Sequence, residues 1–206
     1  MSASPLDWIV AAIGAFLLGS LPSGLWWGRI LRGIDIRQHG SRNLGATNIY
    51  RTLGPAHGIA VLLLDVAKGA GAVLWSQAWS HSEAGAALGG ILAVLGHAFT
   101  PFARFRGGKG VAAGLGVWLV LAPPASLLAL AAFGVVLGLT RRVSAGSLVA
   151  GLALVPLVIT LGGGEGTTLR GALAAATALL VWVRHYRNIG RLLAGTEPTL
   201  WGKGRR

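Results

Sequence analysis

Long apolar runs alternate with short polar segments along this chain of 206 residues. A helix needs ~20 predominantly apolar residues to cross a bilayer, and several runs approach that length. The pattern predicts seven spans, at Leu6–Trp27, Ala56–Trp79, Ala84–Pro101, Gly110–Leu121, Ala125–Thr140, Val143–Leu161 and Thr168–Val183. The fourth is short, and either extends into the GGKG before it, tilts, or stops before a full crossing. Pro123 and Pro124 separate the fourth from the fifth, because proline cannot continue the helical hydrogen-bond ladder. Pro156 is expected to kink the sixth, and Gly162, Gly163 and Gly164 to form a flexible loop before the seventh.

Composition supports an all-α integral membrane protein, with residues 1–206 as one polytopic domain. The chain is 53% hydrophobic and its mean hydropathy is +0.66, values foreign to a soluble domain. Glycine and alanine abound within the apolar runs, as expected where membrane helices pack through small residues. The absence of cysteine excludes disulfides, thiolate metal sites and thiol nucleophiles. MSASPLDW lacks the basic start of a cleavable signal peptide, so none is expected.

The net charge of +12 raises the question of nucleic acid, and the placement of the charge answers it. Arg29, Arg32, Arg37, Arg42 and Arg51 fall between the first two spans. Arg104, Arg106 and Lys109 follow the third, Arg141 and Arg142 follow the fifth, and Arg184, Arg187, Arg191, Lys203, Arg205 and Arg206 follow the seventh. Only Lys68, inside a span, and Arg170 lie elsewhere, and the alternate segments hold Asp7, Glu83 and Glu165. The positive-inside rule therefore expects an outside N-terminus, a cytoplasmic C-terminus and polar segments facing the cytoplasm. The cations then serve topology and anionic headgroups, and nucleic acid is not an expected partner.

Three of those segments carry more than charge. Gly40 to Gly54, GSRNLGATNIYRTLG, reads as a glycine-punctuated loop holding Ser41, Arg42, Asn43, Thr47, Asn48 and Arg51, with no carboxylate. Gly96-His97 and then RFRGGKG contribute His97, Gly107, Gly108 and Lys109. RHYRNIGRLLAGTE contributes His185, Asn188 and Glu197, with His185 and Asn188 spaced i, i+3 on a helical face. Donors and bare glycine amides without carboxylates suit a phosphate; a basic turn obeying the charge rule is the plainer reading. RFRGGKG is not a P-loop, since the Ser or Thr after the lysine and the preceding strand are missing. Asp65 and Lys68, one turn apart inside the second span, form either a structural ion pair or an extension of the cationic site. Ser144 and Ser147 open the sixth span, as helix caps or as donors to the site. His39, His57 and His81 lack such company, and no cluster has metal-ligand spacing, so neither a metal nor another cofactor is expected.

The ordered motifs resemble the bacterial acyl-phosphate:glycerol-3-phosphate acyltransferases, the PlsY family. They are GSLPSG at Gly19–Gly24, GSRNLGATNIYRTLG, LDVAKG at Leu64–Gly69, GH at Gly96–His97, FRGGKGVA at Phe105–Ala112, Ser144 and Ser147, and RHYRNIGRLLAGTEP at Arg184–Pro198. The resemblance implies a seven-span inner-membrane enzyme that acylates the 1-hydroxyl of sn-glycerol 3-phosphate from an acyl phosphate, giving lysophosphatidic acid and phosphate. It also implies that Ser41, Asn43, Arg51, Lys109, Ser144 or Ser147, His185 and Asn188 line the site. Arg42 and Arg106 depart from the family pattern, which has glycine and commonly lysine there.

The residues fit that chemistry. An acyl phosphate is already activated, so no covalent nucleophile is required, and the chain has neither cysteine nor a G-x-S-x-G elbow. None of the five histidines is followed by Asp at +5, the pattern of soluble-type acyltransferases. The proton of the attacking hydroxyl has two candidate acceptors, His185 and an oxygen of the donor phosphate. A small organic-phosphate transporter and a non-enzymatic scaffold are the rivals. A transporter usually has internal repeats and a site at the bilayer midplane. No repeat is evident in this sequence.

Overall fold

The computed structural model describes residues 3–163 and 166–201. Glu165, Lys203, Arg205 and Arg206 of the charge pattern, and Gly164 of the triple glycine, lie outside the described residues. Those described form ten α-helices and two 3₁₀ turns, with no strand among them. The chain divides into two compact units, one ending at Leu121 and the other beginning at Ala122.

The first unit holds α1 (Pro5–Ser20), α2 (Ser23–Arg32), α3 (Ala46–Leu53), α4 (Pro55–Ser80), α5 (Glu83–Ala98) and α6 (Val111–Leu121). Ser4 and Asp7 close a reciprocal capping box at the start of α1, with Pro5 in the first turn where its missing N–H costs nothing. The expected first span does not run on to Trp27. It ends at Ser20, and α2 leaves at 44° after Leu21 and Pro22. A proline removes a backbone donor and disfavours helix in the residue before it, which explains the break. The central helix α4 packs against α1, α3, α5 and α6. At its crossing with α6, a Cβ on Gly69 would meet the Ala113 carbonyl and one on Gly116 the Val66 carbonyl. Backbones approach this closely only through glycine. A small core of Leu25, Ile36, Leu44, Ile49, Val61 and Ala103 ties α2, α3 and the segment between them to α4.

The second unit holds α7 (Pro123–Thr140), α8 (Val143–Leu161), α9 (Thr167–Arg184) and α10 (Tyr186–Leu193). Here α8 packs against α7 and α9. Leu127, Val135 and Leu139 on α7 are exposed, as lipid-facing side chains are.

All seven predicted spans contain helix, and all but the first have boundaries near those expected. Among the described residues, four stretches are long and apolar enough to cross a membrane: Pro55–Ser80, Glu83–Ala103, Pro123–Thr140 and Val143–Leu161. The bent pair α1 and α2 makes a fifth if counted as one crossing. Of the other two, α6 has only 11 residues, and α9 has 18 but includes Arg170 and Arg184. The fourth element does not extend into GGKG, since α6 starts at Val111 after Gly110 at φ 84°.

Candidate active site

In the first unit, the Gly40–Gly54 segment is not a loop throughout. From Ala46 it is α3, which sets Thr47 and Arg51 at i, i+4 on one face. Asn48 organises the non-helical half. Its buried Oδ1 accepts from Ser41 N at 2.8 Å. Its Nδ2 donates to His39 O at 3.0 Å and Asn43 O at 2.9 Å. Asn43 Oδ1 in turn accepts from Gly45 N at 2.9 Å, an Asx turn leading into α3. Asn43 and Asn48, expected as ligand donors, thus shape the loop, while Ser41 and Arg51 are exposed. Arg42 closes a turn back to His39 at φ 61°, in the left-handed region. The glycine of the family pattern is explained by that backbone angle, which costs an ordinary residue about 1–2 kcal/mol.

The glycines of RFRGGKG answer to packing. Gly107 N donates to Ala98 O at 3.1 Å and Gly108 N to His97 O at 2.9 Å. A Cβ on Gly107 would strike the His97 carbonyl, and one on Gly108 the His97 imidazole. These amides, expected to cradle an anion, are bonded instead to the end of α5. Lys109, next to them, is half-buried.

Deeper in this unit, Asp65 and Lys68 form a buried ion pair, Oδ1 to Nζ 2.9 Å. Lys68 Nζ also donates to Leu21 O at 2.6 Å, and His97 Nδ1 lies 3.7 Å from Asp65 Oδ1. The three line a small recess together with Leu21–Gly24, Leu44, Thr100 and Gly108.

In the second unit, Glu197 is the hub. Its carboxylate is buried and accepts three side-chain hydrogen bonds. Ser144 Oγ and Asn188 Nδ2 donate to Oε1 at 2.8 and 2.6 Å, and Arg191 Nε donates to Oε2 at 2.6 Å. Burial, the largest single influence, works to raise the Glu197 pKa, but the three hydrogen bonds and the Arg191 charge together hold it below its ordinary value. Ser144 therefore does not cap α8, and Ser147 Oγ donates to Val143 O at 2.9 Å. His185 caps the start of α10, the helix that holds Asn188, at its joint with α9. Buried His185 Nδ1 lies 2.7 Å from Val181 O. A carbonyl only accepts, so Nδ1 carries a hydrogen and Nε2 is the nitrogen able to take a proton.

Sequence reasoning missed two contacts. Thr100 Oγ1 donates to Ser20 O at 2.6 Å, closing the end of α1. His57, set aside as incidental, accepts from Trp27 Nε1 at 3.0 Å. Neither has a local sequence signal, since the partners are 80 and 30 residues apart.

The family model for glycerol-3-phosphate acyltransferase matches residues 9–195. The chain belongs to this family. Glycerol-3-phosphate acyltransferases of Synechococcus sp. (strain CC9902) and Trichlorobacter lovleyi are 43% and 45% identical to it. Those matches cover 96% and 93% of this chain, and 96% and 95% of the relatives. Among solved structures it resembles PlsY (YgiH), an integral membrane glycerol 3-phosphate acyltransferase, in its glycerol 3-phosphate form. That likeness has a TM-score of 0.83 and 33% identity, over 95% of this chain and 96% of that one. The lysophosphatidic acid form of PlsY gives a TM-score of 0.82. Membership makes the chain an acyltransferase and a multi-pass membrane protein, and does not favour the transporter.

Proposed function

We propose that the chain transfers a fatty acyl group from acyl phosphate to the 1-hydroxyl of sn-glycerol 3-phosphate, releasing lysophosphatidic acid and phosphate. The observation that carries this reading is the near-complete likeness to PlsY in a glycerol 3-phosphate form, at 33% identity. The cations, hydroxyls and buried histidine described above are the chemistry that two phosphate-bearing substrates need. In this reading the hydroxyl oxygen attacks the acyl carbonyl carbon, the carbon–oxygen bond to phosphate breaks, and phosphate leaves with the electron pair. Arg51, Lys109, Ser41 and Thr47 bind and neutralise phosphate oxygens, and the loop that Asn43 and Asn48 shape presents Ser41. Asn188, Ser144 and Ser147 stand with Glu197 as the polar groups of the second unit. His185 Nε2 takes the hydroxyl proton. The enzyme works in the inner membrane with seven crossings, an outside N-terminus and catalytic residues open to the cytoplasm, as the charge pattern supports.

The test is phosphate release by purified protein supplied with acyl phosphate, with and without glycerol 3-phosphate. Release that depends on glycerol 3-phosphate, with lysophosphatidic acid as product, supports the reading. Release indifferent to glycerol 3-phosphate defeats it.

A further inference from the structure

We infer that the buried Asp65–Lys68 pair is a positioning device for the substrate site, acting through the broken end of α1 and not through contact with phosphate. The inference rests on the substrate-site reading above. A helix that stops inside a protein leaves its last carbonyls without intrahelical partners, and in an apolar setting these must be met by other donors. At the end of α1 two side chains from distant elements do so. Thr100 Oγ1 reaches Ser20 O, and Lys68 Nζ reaches Leu21 O at 2.6 Å. Asp65 lies 2.9 Å from this ammonium, both side chains being at most 5% exposed, and buried ionisable groups in a membrane helix are paired in this way. The ion pair with Asp65 and the hydrogen bond to Leu21 O together orient the ammonium at the break.

The same pair reaches the second phosphate-binding candidate. Asp65 Oδ1 lies 3.7 Å from His97 Nδ1, the His97 carbonyl accepts from Gly108 N at 2.9 Å, and Gly108 has no room for a Cβ against the His97 ring. One buried pair on α4 is thus the common reference for two segments. One is the Leu21–Gly24 turn, from which α2 leads to the Ser41 loop. The other is the Gly107–Gly108 turn beside Lys109. A shift of either segment would misplace the groups that receive glycerol 3-phosphate.

The experiment measures KM for glycerol 3-phosphate, kcat and thermal unfolding for Lys68→Met, Asp65→Asn and the double variant, with Lys109→Ala in parallel. Lys68→Met leaves a buried carboxylate uncompensated, so it loses both stability and affinity. KM should rise about tenfold to 100-fold, the size of effect expected when reacting groups are misplaced from a distance. Asp65→Asn should raise KM as well, because the ammonium loses the group that holds it on Leu21 O. The double variant removes both charges, so it should recover thermal stability but not KM, since Leu21 O, which also accepts from Ser23 N, still lacks the lysine that fixes the break. Recovery of KM together with stability would reduce the pair to an ion pair and overturn the inference. So would Asp65→Asn leaving KM unchanged or lowered, which would mean that Lys68 touches phosphate itself. If Lys68→Met does not fold, the double variant alone decides. An unchanged KM in Lys109→Ala would instead strike the substrate-site reading, independently of the Lys68 result.

Discussion

Ser144 and Asn188 donate to the same oxygen of Glu197, at 2.8 and 2.6 Å, although 44 residues of chain separate the two donors. Ser144 opens α8 and Asn188 lies in α10, so the carboxylate joins two helices of the second unit. Gly195 at φ 70° turns the chain after α10 and brings Glu197 back beneath Arg191, whose carbonyl accepts from Glu197 N at 3.1 Å. The arrangement holds the segment that carries His185 and Asn188.

Glu197→Ala should destabilise the protein by about 1–3 kcal/mol, the cost of leaving buried donors without an acceptor, and lower turnover with it. Ser144→Ala should cost less, about 1 kcal/mol. Thermal unfolding of the purified protein in detergent or nanodiscs reads both.

The carboxylate also sets a pH dependence. Its folded pKa lies below its ordinary value, so its stabilising contribution is fully present above the ordinary glutamate pKa of about 4.3. That contribution is lost as pH falls through the depressed folded value. Unfolding temperature against pH should therefore show an acid limb that is smaller in Glu197→Gln than in the parent. An equal limb in both would separate Glu197 from the acid sensitivity.

His185→Asn keeps an amide N–H able to reach Val181 O and removes the ring nitrogen that takes a proton. Its unfolding temperature should stay close to that of the parent while kcat for phosphate release falls by ~10²-fold or more. A loss confined to KM for glycerol 3-phosphate would assign the proton to the donor phosphate instead.

Asn48→Ala removes the acceptor for Ser41 N and the donor for His39 O and Asn43 O. We expect a loss of about 1–3 kcal/mol in stability and a raised KM for glycerol 3-phosphate, because the loop that presents Ser41 loses its brace. Steady-state kinetics beside thermal unfolding separates the two effects.

Arg42 sits in a left-handed turn, so the two directions of substitution should differ in sign. Arg42→Gly should hold or raise the unfolding temperature, while Arg42→Val should lower stability by roughly 1–2 kcal/mol. If Arg42→Gly also raises KM, the guanidinium contributes to binding beyond its backbone role.

The apolar runs of this chain determine its helices, because burial in lipid depends on length and hydropathy, and both are local. Boundaries such as Val143–Leu161 and Pro123–Thr140 follow from Arg142, Pro123 and the residues between. The family and its reaction were also legible, since GSRNLGATNIYRTLG, FRGGKGVA and RHYRNIGRLLAGTEP are long and ordered. Only the tertiary structure decided what each polar side chain does. Asn48 looked like a ligand donor and is a brace, because its partners arrive from a turn seven to nine residues back. The glycines of GGKG looked like an anion cradle and are contact surfaces for His97, which no local pattern announces. Lys68 pairs with Asp65 at i, i+3, a spacing visible in the sequence, but its second partner, Leu21 O, lies 47 residues away. Hydrophobic periodicity is written along the chain, whereas hydrogen-bond partners are chosen across it, and a lysine or an asparagine carries no mark of which acceptor folding will bring to it.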